Sequence, residues 1–216
     1  MIDVAANIGL HAAYLSKRVG PTGRVFAFEP VAYNIDRLNA NLRLNHCQNV
    51  SIVKAVAGPS RGRVDLWEVA QTERGLGTSS VVFNPSIRAL RERGAVKQVE
   101  VEQITLDWFV AANELEVDFV KIDVEGYDLE VLRGATSLLA KQSPTLIIEF
   151  KPRRLSDLGV RPEDYAELLL PHYQCFAIRP PNRHDRFVSF EPFAFDRDLP
   201  SGDLLCVPRA KLWQLK

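Results

Sequence analysis

Two carboxylates and a short loop of small residues lie near the start of the chain, at a spacing suited to binding a nucleoside. An apolar strand ends at Asp3, a small-residue loop follows at 5–9, and the next strand ends at Glu29, twenty positions after Gly9. Small residues let the backbone approach a ligand closely. A carboxylate that ends the second strand is well placed to accept hydrogen bonds from a ribose. This stretch therefore predicts a nucleoside-binding α/β domain.

A second acidic group lies in the segment KIDVEG at 121–126. Asp123 closes a buried strand, and Glu125 lies just beyond it. A carboxylate within hydrogen-bond reach of a hydroxyl group can take its proton, so Asp123 is the first candidate for a general base and Glu125 the second. Lys121 is an unusual residue for the inside of a parallel strand. We expect it to pair with Asp123 or with Glu149 on the neighbouring strand.

Two alternatives remain open at this site. His11, just after the small-residue loop, is a rival base, although a packing or surface role explains a histidine there more simply. A magnesium ion held by Asp123, Glu125 and a third oxygen is the other alternative, because magnesium prefers oxygen ligands. The sequence shows no third ligand and therefore identifies no metal site.

The acidic residues require a scaffold that brings strand ends together. Alternating strands and helices predict a mostly parallel sheet with helices on both faces, and ligands of such sheets bind beyond the carboxyl ends of the strands. The predicted helices lie at 7–19, 31–45, 105–113, 127–141 and 162–172. The predicted strands lie at 24–29, 50–56, 63–67, 96–104, 117–123, 146–150, 172–178, 186–192 and 204–208. Of the last three strands, we expect the first and the third to join the main sheet.

Length and composition narrow the functional classes. A chain of 216 residues with zero formal net charge suits one α/β domain, and no basic stretch is concentrated enough to track nucleic-acid phosphates. Three widely spaced cysteines form neither a disulfide framework nor a zinc spacing and suit a reducing compartment. The chain shows no secretory signal and no apolar run near the roughly 20 residues of a membrane helix. We therefore expect a cytoplasmic protein and make no prediction of its oligomeric state.

Five motifs follow one another in the first 150 residues: DVAANIG (3–9), FAFEP (26–30), TLDWF (105–109), KIDVEGYDLEVLRGA (121–135) and LIIEF (146–150). Together they resemble the FkbM-type methyltransferases, a family of the Rossmann-like group that uses S-adenosylmethionine. The segment IDVEG, at a strand end and after a TLD segment, is the most specific part of the resemblance. The resemblance implies an α/β, Rossmann-like class I methyltransferase fold with a mostly parallel seven-stranded sheet, helices on both faces and a shortened first strand.

The resemblance further implies one methyltransferase domain over 1–216. Its cofactor-binding half is expected at 1–56, an insertion that shapes the acceptor pocket at 57–104, and the catalytic strand with the C-terminal half at 105–216. The implied S-adenosylmethionine-binding residues are Asp3, Ala5, Asn7, Gly9, Glu29, Ala55 and Val56. Those up to Gly9 would hold the methionine part, Glu29 the ribose, and the last two would border the adenine.

At the reacting end, the resemblance implies that Asp123 and Glu125 face the acceptor. Members of the family typically methylate hydroxyl groups, so the expected acceptor is a small molecule or glycan: a sugar, a glycolipid or a natural product. Stacking of Trp67, Phe83 or Trp108 on a sugar face is possible, but such aromatic residues are ordinary core residues more often. The polar segment 77–80 offers hydrogen bonds to an acceptor, or is only a turn.

One residue departs from the family pattern, because Ala5 lies where glycine is usual. If the backbone needs a positive φ there, alanine costs about 1 kcal/mol or more. A non-catalytic nucleoside-binding or scaffold protein derived from a methyltransferase therefore remains an alternative. A nicotinamide-dependent oxidoreductase fits less well, because the loop A-A-N-I-G lacks the three glycines of G-x-G-x-x-G.

Overall fold

A computed structural model describes residues 1–70, 79–83, 85–181, 188–195 and 202–215. The helices are α1 Leu10–Val19, α2 Ala32–Leu44, α3 Pro85–Glu92, α4 Leu106–Ala112, α5 Asp128–Arg133, α6 Thr136–Lys141, α7 Pro152–Asp157 and α8 Pro162–Leu169, with a 3-10 helix at Arg209–Leu215. The strands are β1 Ile2–Val4, β2 Val25–Phe28, β3 Val50–Val53, β4 Val56–Ala57, β5 Gly62–Val69, β6 Val96–Ile104, β7 Phe119–Ile122, β8 Thr145–Phe150, β9 Tyr173–Arg179, β10 Ser189–Phe193 and β11 Gly202–Pro208. The predicted strand at 186–192 and the polar segment 77–80 lie partly outside the described residues.

The main sheet has the strand order β10-β9-β11-β8-β7-β1-β2-β3. The five strands from β8 to β3 run parallel, and β11, β9 and β10 pair antiparallel. The predicted fold class is confirmed, but the predicted count of seven strands is wrong, because β10 adds an eighth along β9. Four of the five side chains of β10 are exposed, so the sequence pattern carried no sign of sheet membership.

Helices cover both faces of the sheet, as predicted. Phe26 and Phe28 of β2 pack edge-on against Phe109 of α4, with ring centroids 5.3 and 5.0 Å apart. Ala27 lies between them and points to the opposite face, since side chains alternate along a strand. There it joins a separate core cluster with residues of α1 and α2, including Leu38.

The strand predicted at 50–56 is divided between two sheets. β3 ends at Val53 in the main sheet, and β4 begins at Val56 in a small sheet of order β4-β6-β5. The amide of Ala55 donates to the carbonyl of Val53 at 2.9 Å, which turns the chain between the two. The small sheet therefore begins where the predicted insertion 57–104 begins.

The helix predicted at 127–141 is likewise two helices, α5 and α6. Asp107 caps the second of them, because its carboxylate accepts the amides of Ser137 and Leu138 at 2.9 and 2.7 Å. Helix α4 begins as predicted, with the Thr105 hydroxyl accepting the amide of Trp108 at 3.0 Å. Within the described ranges, we find no helix that combines the length and the apolar character needed to cross a membrane.

Candidate active site

A cavity of about 390 Å³ opens beyond the carboxyl ends of β1, β2 and β7. In the sheet β1 lies between β2 and β7. The strands β2 and β3 are added on one side of β1 and the strands β7 and β8 on the other, so the strand order reverses at β1. Such switch points are where open α/β sheets bind ligands, and small-molecule sites occupy roughly 300–1,000 Å³. Glu29 and Asp123, the carboxylates expected at the two functional ends, line this one cavity.

The small-residue loop has a left-handed backbone at alternate positions. Ala5, Asn7 and Gly9 have φ values of 59°, 50° and 90°. Helix α1 therefore begins at Leu10 and not at the predicted residue 7, because left-handed residues cannot continue a right-handed helix. Ala5 thus has the positive φ that we expected to be costly for alanine. The strained residue itself lines the cavity.

Asn7 and Gly9 serve different purposes in this loop. Asn7 lines the cavity, and its buried side-chain oxygen has no hydrogen-bond partner among the described residues. Gly9 lies outside the described cavity lining, and a Cβ atom there would meet Leu38 Cδ1 at 2.2 Å. Its place in the structure is thus explained by the packing of α1 on α2 and by its backbone angle, while the Asn7 oxygen lies unpartnered in a residue that lines the cavity.

Glu29 is held by three protein donors. Its Oε1 accepts the amide of Val31 at 3.0 Å and the side-chain amide of Asn34 at 3.1 Å, and its Oε2 accepts the amide of Asn7 at 2.9 Å. The residue is only 4% exposed, and burial raises the pKa of its carboxyl while these hydrogen bonds lower it. The carboxylate is therefore fixed in orientation. Asn34 was missed, although a polar residue in the first turn of α2 was a readable signal.

Lys121 joins two of the predicted carboxylates. Its Nζ lies 3.5 Å from Asp3 Oδ1 and 3.5 Å from Asp123 Oδ2. The expected pairing with Asp123 is thus found, and Asp3 takes the place considered for Glu149. Asp3 is fully buried and lies behind the described cavity lining; burial raises its pKa, and Lys121 lowers it.

Asp128, which the sequence reasoning missed, shapes the loop after β7. Its Oδ1 accepts the amide of Val124 and its Oδ2 the amide of Gly126, both at 3.2 Å. Between these amides, Glu125 has a φ of 57°. Burial raises the pKa of Asp128 to about 7. An aspartate three residues after Glu125, at the start of a helix, was the signal available.

Three carboxylates converge beside the cavity, and two of them, Asp123 and Glu125, line it. Atoms of Asp123, Glu125 and Glu149 lie within 4.8 Å of one another, and this set contains the third oxygen ligand that the sequence did not show. Such oxygen ligands can hold a divalent cation. Lys151, also not predicted, contacts Glu149 and lies 4.0 Å from Glu125 Oε2, so an ammonium supplies positive charge there.

The two residues predicted to border the adenine line a different, neighbouring cavity. Ala55 and Val56 line a smaller cavity of about 50 Å³, apart from the described lining of the larger one. Leu66 and Ser79, from the predicted insertion, line both cavities. His11, the rival base, lines the larger cavity.

The aromatic residues considered for sugar stacking lie elsewhere. Trp67 packs on Phe83 with ring centroids 4.8 Å apart, and the guanidinium of Arg61 lies 4.2 Å from the ring centroid of Trp108. None of the three aromatic rings belongs to the cavity lining that the described residues form.

Known proteins share both the sequence and the fold of this chain. Residues 3–193 match the methyltransferase FkbM domain. The hexuronic acid methyltransferase AglP of Haloferax volcanii is 31% identical over 192 residues, which cover 86% of this chain and 67% of that protein. The methyltransferase sdnD of Sordaria araneosa is 28% identical over 155 residues, covering 62% of this chain and 59% of its own length.

A solved structure, the methyltransferase FkbM from Methylobacillus flagellatus KT, has the same fold. It is 21% identical, with a TM-score of 0.57 over 95% of this chain, and the match covers 42% of its own length. The chain thus spans between two fifths and two thirds of the length of these relatives. With residues 3–193 inside the domain match, the chain belongs to the FkbM methyltransferase family, which confirms the predicted enzyme class and the predicted cofactor, S-adenosylmethionine.

Proposed function

We propose that this domain transfers a methyl group from S-adenosylmethionine to a hydroxyl group of a sugar, a glycolipid or a natural product. The observation that supports this most is the shared cavity: Glu29, suited to a ribose, and Asp123, suited to an acceptor hydroxyl, line the same space. The similarity to a hexuronic acid methyltransferase supports a sugar as the acceptor.

The residues present fit the cofactor. The buried, unpartnered side-chain oxygen of Asn7 and the left-handed loop beside the cavity are features that a polar ligand would use. In this proposal Asn7 binds the methionine part and Glu29 binds a ribose hydroxyl. Ala5 and Gly9 set the shape of the loop by their positive φ angles.

The other predicted cofactor residues contribute from outside the larger cavity. Asp3 lies behind the loop and pairs with Lys121. Ala55 and Val56 border the adenine from the smaller cavity.

S-adenosylmethionine, when bound, supplies a methyl group already activated by its sulfonium. The protein's task is then mainly to position the acceptor, since alignment alone can lower a barrier by several kcal/mol. Asp123, whose side chain is 38% exposed at the cavity, would accept the hydroxyl proton as the C–O bond forms and the methyl–sulfur bond breaks, which leaves S-adenosylhomocysteine as the second product. Glu125 is the second candidate for this role.

The proposal includes a small-molecule or glycan acceptor in preference to nucleic acid. It is supported by the cluster of carboxylates of Asp123, Glu125 and Glu149 beside the cavity, because a phosphate backbone would be repelled there. We also keep the predicted cytoplasmic location, which the three free cysteines support.

Mass spectrometry with deuterated methyl donor tests the proposal directly. The protein would be incubated with S-adenosylmethionine and a panel of p-nitrophenyl glycosides, glycolipids and hydroxylated natural products. We expect a labelled ether on at least one acceptor, and calorimetric binding of S-adenosylhomocysteine in preference to NAD. Binding without transfer to any member, or no binding at all, would favour the non-catalytic alternative.

Substitution of Asp123 then tests its role. Asp123→Asn is expected to lower kcat by roughly 10²–10⁴-fold, the usual contribution of a general base, while binding of S-adenosylhomocysteine stays within a few-fold. Asp36→Asn removes an exposed carboxylate of α2 and serves as the matched control. If Asp123→Asn keeps the wild-type kcat, Asp123 is not the base.

A further inference from the structure

A buried lysine lies between the cofactor side and the acceptor side of the cavity. The side chain of Lys121 is 10% exposed, and the β1–β7 register places it directly opposite Asp3. Asp123 follows two residues later and also faces its ammonium. One ammonium thus contacts two carboxylates, one on the cofactor side and one on the acceptor side of the proposed site.

Neutralising Asp3 is insufficient to explain this arrangement. Asp3 is fully buried without a hydrogen-bond partner for either oxygen among the described residues, and a buried charge is costly unless paired. A lysine that served Asp3 alone would need no contact with a half-exposed carboxylate. Yet Nζ lies at the same 3.5 Å from Asp123 Oδ2 as from Asp3 Oδ1.

We propose that Lys121 is a positioning residue for the methyl transfer: its ammonium, held by Asp3, fixes the carboxylate of Asp123 in the orientation that faces the acceptor side of the cavity. Lys121 engages Oδ2, so Oδ1 is the oxygen that receives the acceptor proton. This inference rests on the proposed function, in which Asp123 is the base. Lys121 itself neither gives nor takes a proton in the reaction.

Other charged groups near Asp123 set the background for this effect. They come from α1, the loop after β7, β8, the residue after β8 and β11: His11, Glu125, Glu149, Lys151 and Asp203. The contact between Lys121 Nζ and Asp123 Oδ2 is the ion pair that the structure gives for the Asp123 carboxylate among the described residues, so Lys121 is the group best placed to fix its orientation.

Three variants separate positioning from a structural role. Lys121→Met removes the ammonium, Lys121→Arg keeps a positive charge, and Lys141→Met removes an exposed lysine at the end of α6 as a control. We would measure kcat and KM with the best acceptor of the glycoside panel, S-adenosylhomocysteine affinity by calorimetry, and unfolding by urea. In Lys121→Met we expect kcat to fall about tenfold or more while KM and the S-adenosylhomocysteine affinity stay within a few-fold, because the base is misaligned and the binding groups are unchanged.

The two controls are expected to behave differently. Lys121→Arg recovers part of kcat, because it restores a cation between the two carboxylates, and Lys141→Met leaves kcat near its wild-type value. Because Lys121→Met leaves Asp3 buried without its partner, we also pair it with Asp3→Asn. The double variant is expected to regain resistance to urea relative to Lys121→Met, since both buried charges are gone. We use this double variant for stability alone.

The outcomes can be told apart. If the wild-type protein transfers methyl groups and the Lys121→Met variant is folded with an unchanged kcat, the inference is overturned and the proposed function stays intact. A wild-type protein that transfers no methyl group to any acceptor overturns the proposed function and the inference with it.

Discussion

Replacing Asp128 by asparagine is expected to change how stability depends on pH. Asp128 is 2% exposed, and its pKa is raised from 3.8 to about 7 by burial. Between about pH 4 and pH 7 the folded protein therefore keeps a proton on Asp128 that the unfolded chain has lost. Unfolding releases this proton, so the free energy of unfolding falls as pH rises through this window and is level above it.

The magnitude follows from the size of the window. At about 1.4 kcal/mol per pH unit, the wild-type protein loses about 4 kcal/mol of stability over the full window, and about 3 kcal/mol of it between pH 5 and pH 8. Asparagine has nearly the same shape but no charge, so Asp128→Asn lacks this decline. Relative to the wild-type protein with Asp128 protonated, Asp128→Asn is destabilised by about 1–3 kcal/mol, because its NH₂ group faces one of the two amides that Asp128 accepts.

Urea unfolding followed by tryptophan fluorescence at pH 5, 6, 7 and 8 measures both effects. We expect Asp128→Asn to be the less stable protein at pH 5 and the equal or more stable one at pH 8. Its kcat is expected to fall, because the loop that carries Glu125 loses one of two hydrogen bonds. Asp107→Asn, which also removes an acceptor of two backbone amides, is the control and is expected to lose stability at both ends of the range. Parallel pH curves for wild type and Asp128→Asn would refute the reasoning.

Two further substitutions test the cofactor side. Ala5→Gly relieves a φ of 59° and is expected to stabilise the protein by about 1 kcal/mol, seen as a rise in Tm of roughly 2–4 °C; an unchanged or lower Tm would show that Ala5 is not strained. Glu29→Gln places an NH₂ group against the amide of Asn7 and is expected to weaken S-adenosylhomocysteine binding about tenfold or more by calorimetry. Equal affinity in Glu29→Gln would remove Glu29 from the binding site.

The strands β6 and β7 and the start of α4 were predictable because they follow from local patterns. The apolar run before Asp123 and the alternation in β6 fix their strands by side-chain burial, and Thr105 marks a helix start by its own hydroxyl. The meeting of Glu29 and Asp123 in one cavity was also predictable, since carboxyl ends of parallel strands share one edge of the sheet.

The remaining features depend on contacts between distant segments. Nothing near Val53 in sequence says that β3 and β4 belong to different sheets, because that choice depends on pairing with β6. Lys151 joins Glu149 and Glu125 only after the loop behind β7 has folded. The role of Asp128 likewise depends on two backbone amides that its sequence neighbours expose only through the left-handed turn at Glu125.

The three donors around Glu29 have a consequence for which nucleosides the cavity accepts. A carboxylate offers about four lone-pair positions, and Val31, Asn34 and Asn7 use three of them, which leaves one on Oε2. A ribose can therefore satisfy this residue with a single hydroxyl. The protein would then bind only one of the 2′ and 3′ hydroxyls through Glu29. We therefore expect one of the two deoxy analogues, 2′-deoxy or 3′-deoxy, to bind weakly and the other to bind with nearly full affinity.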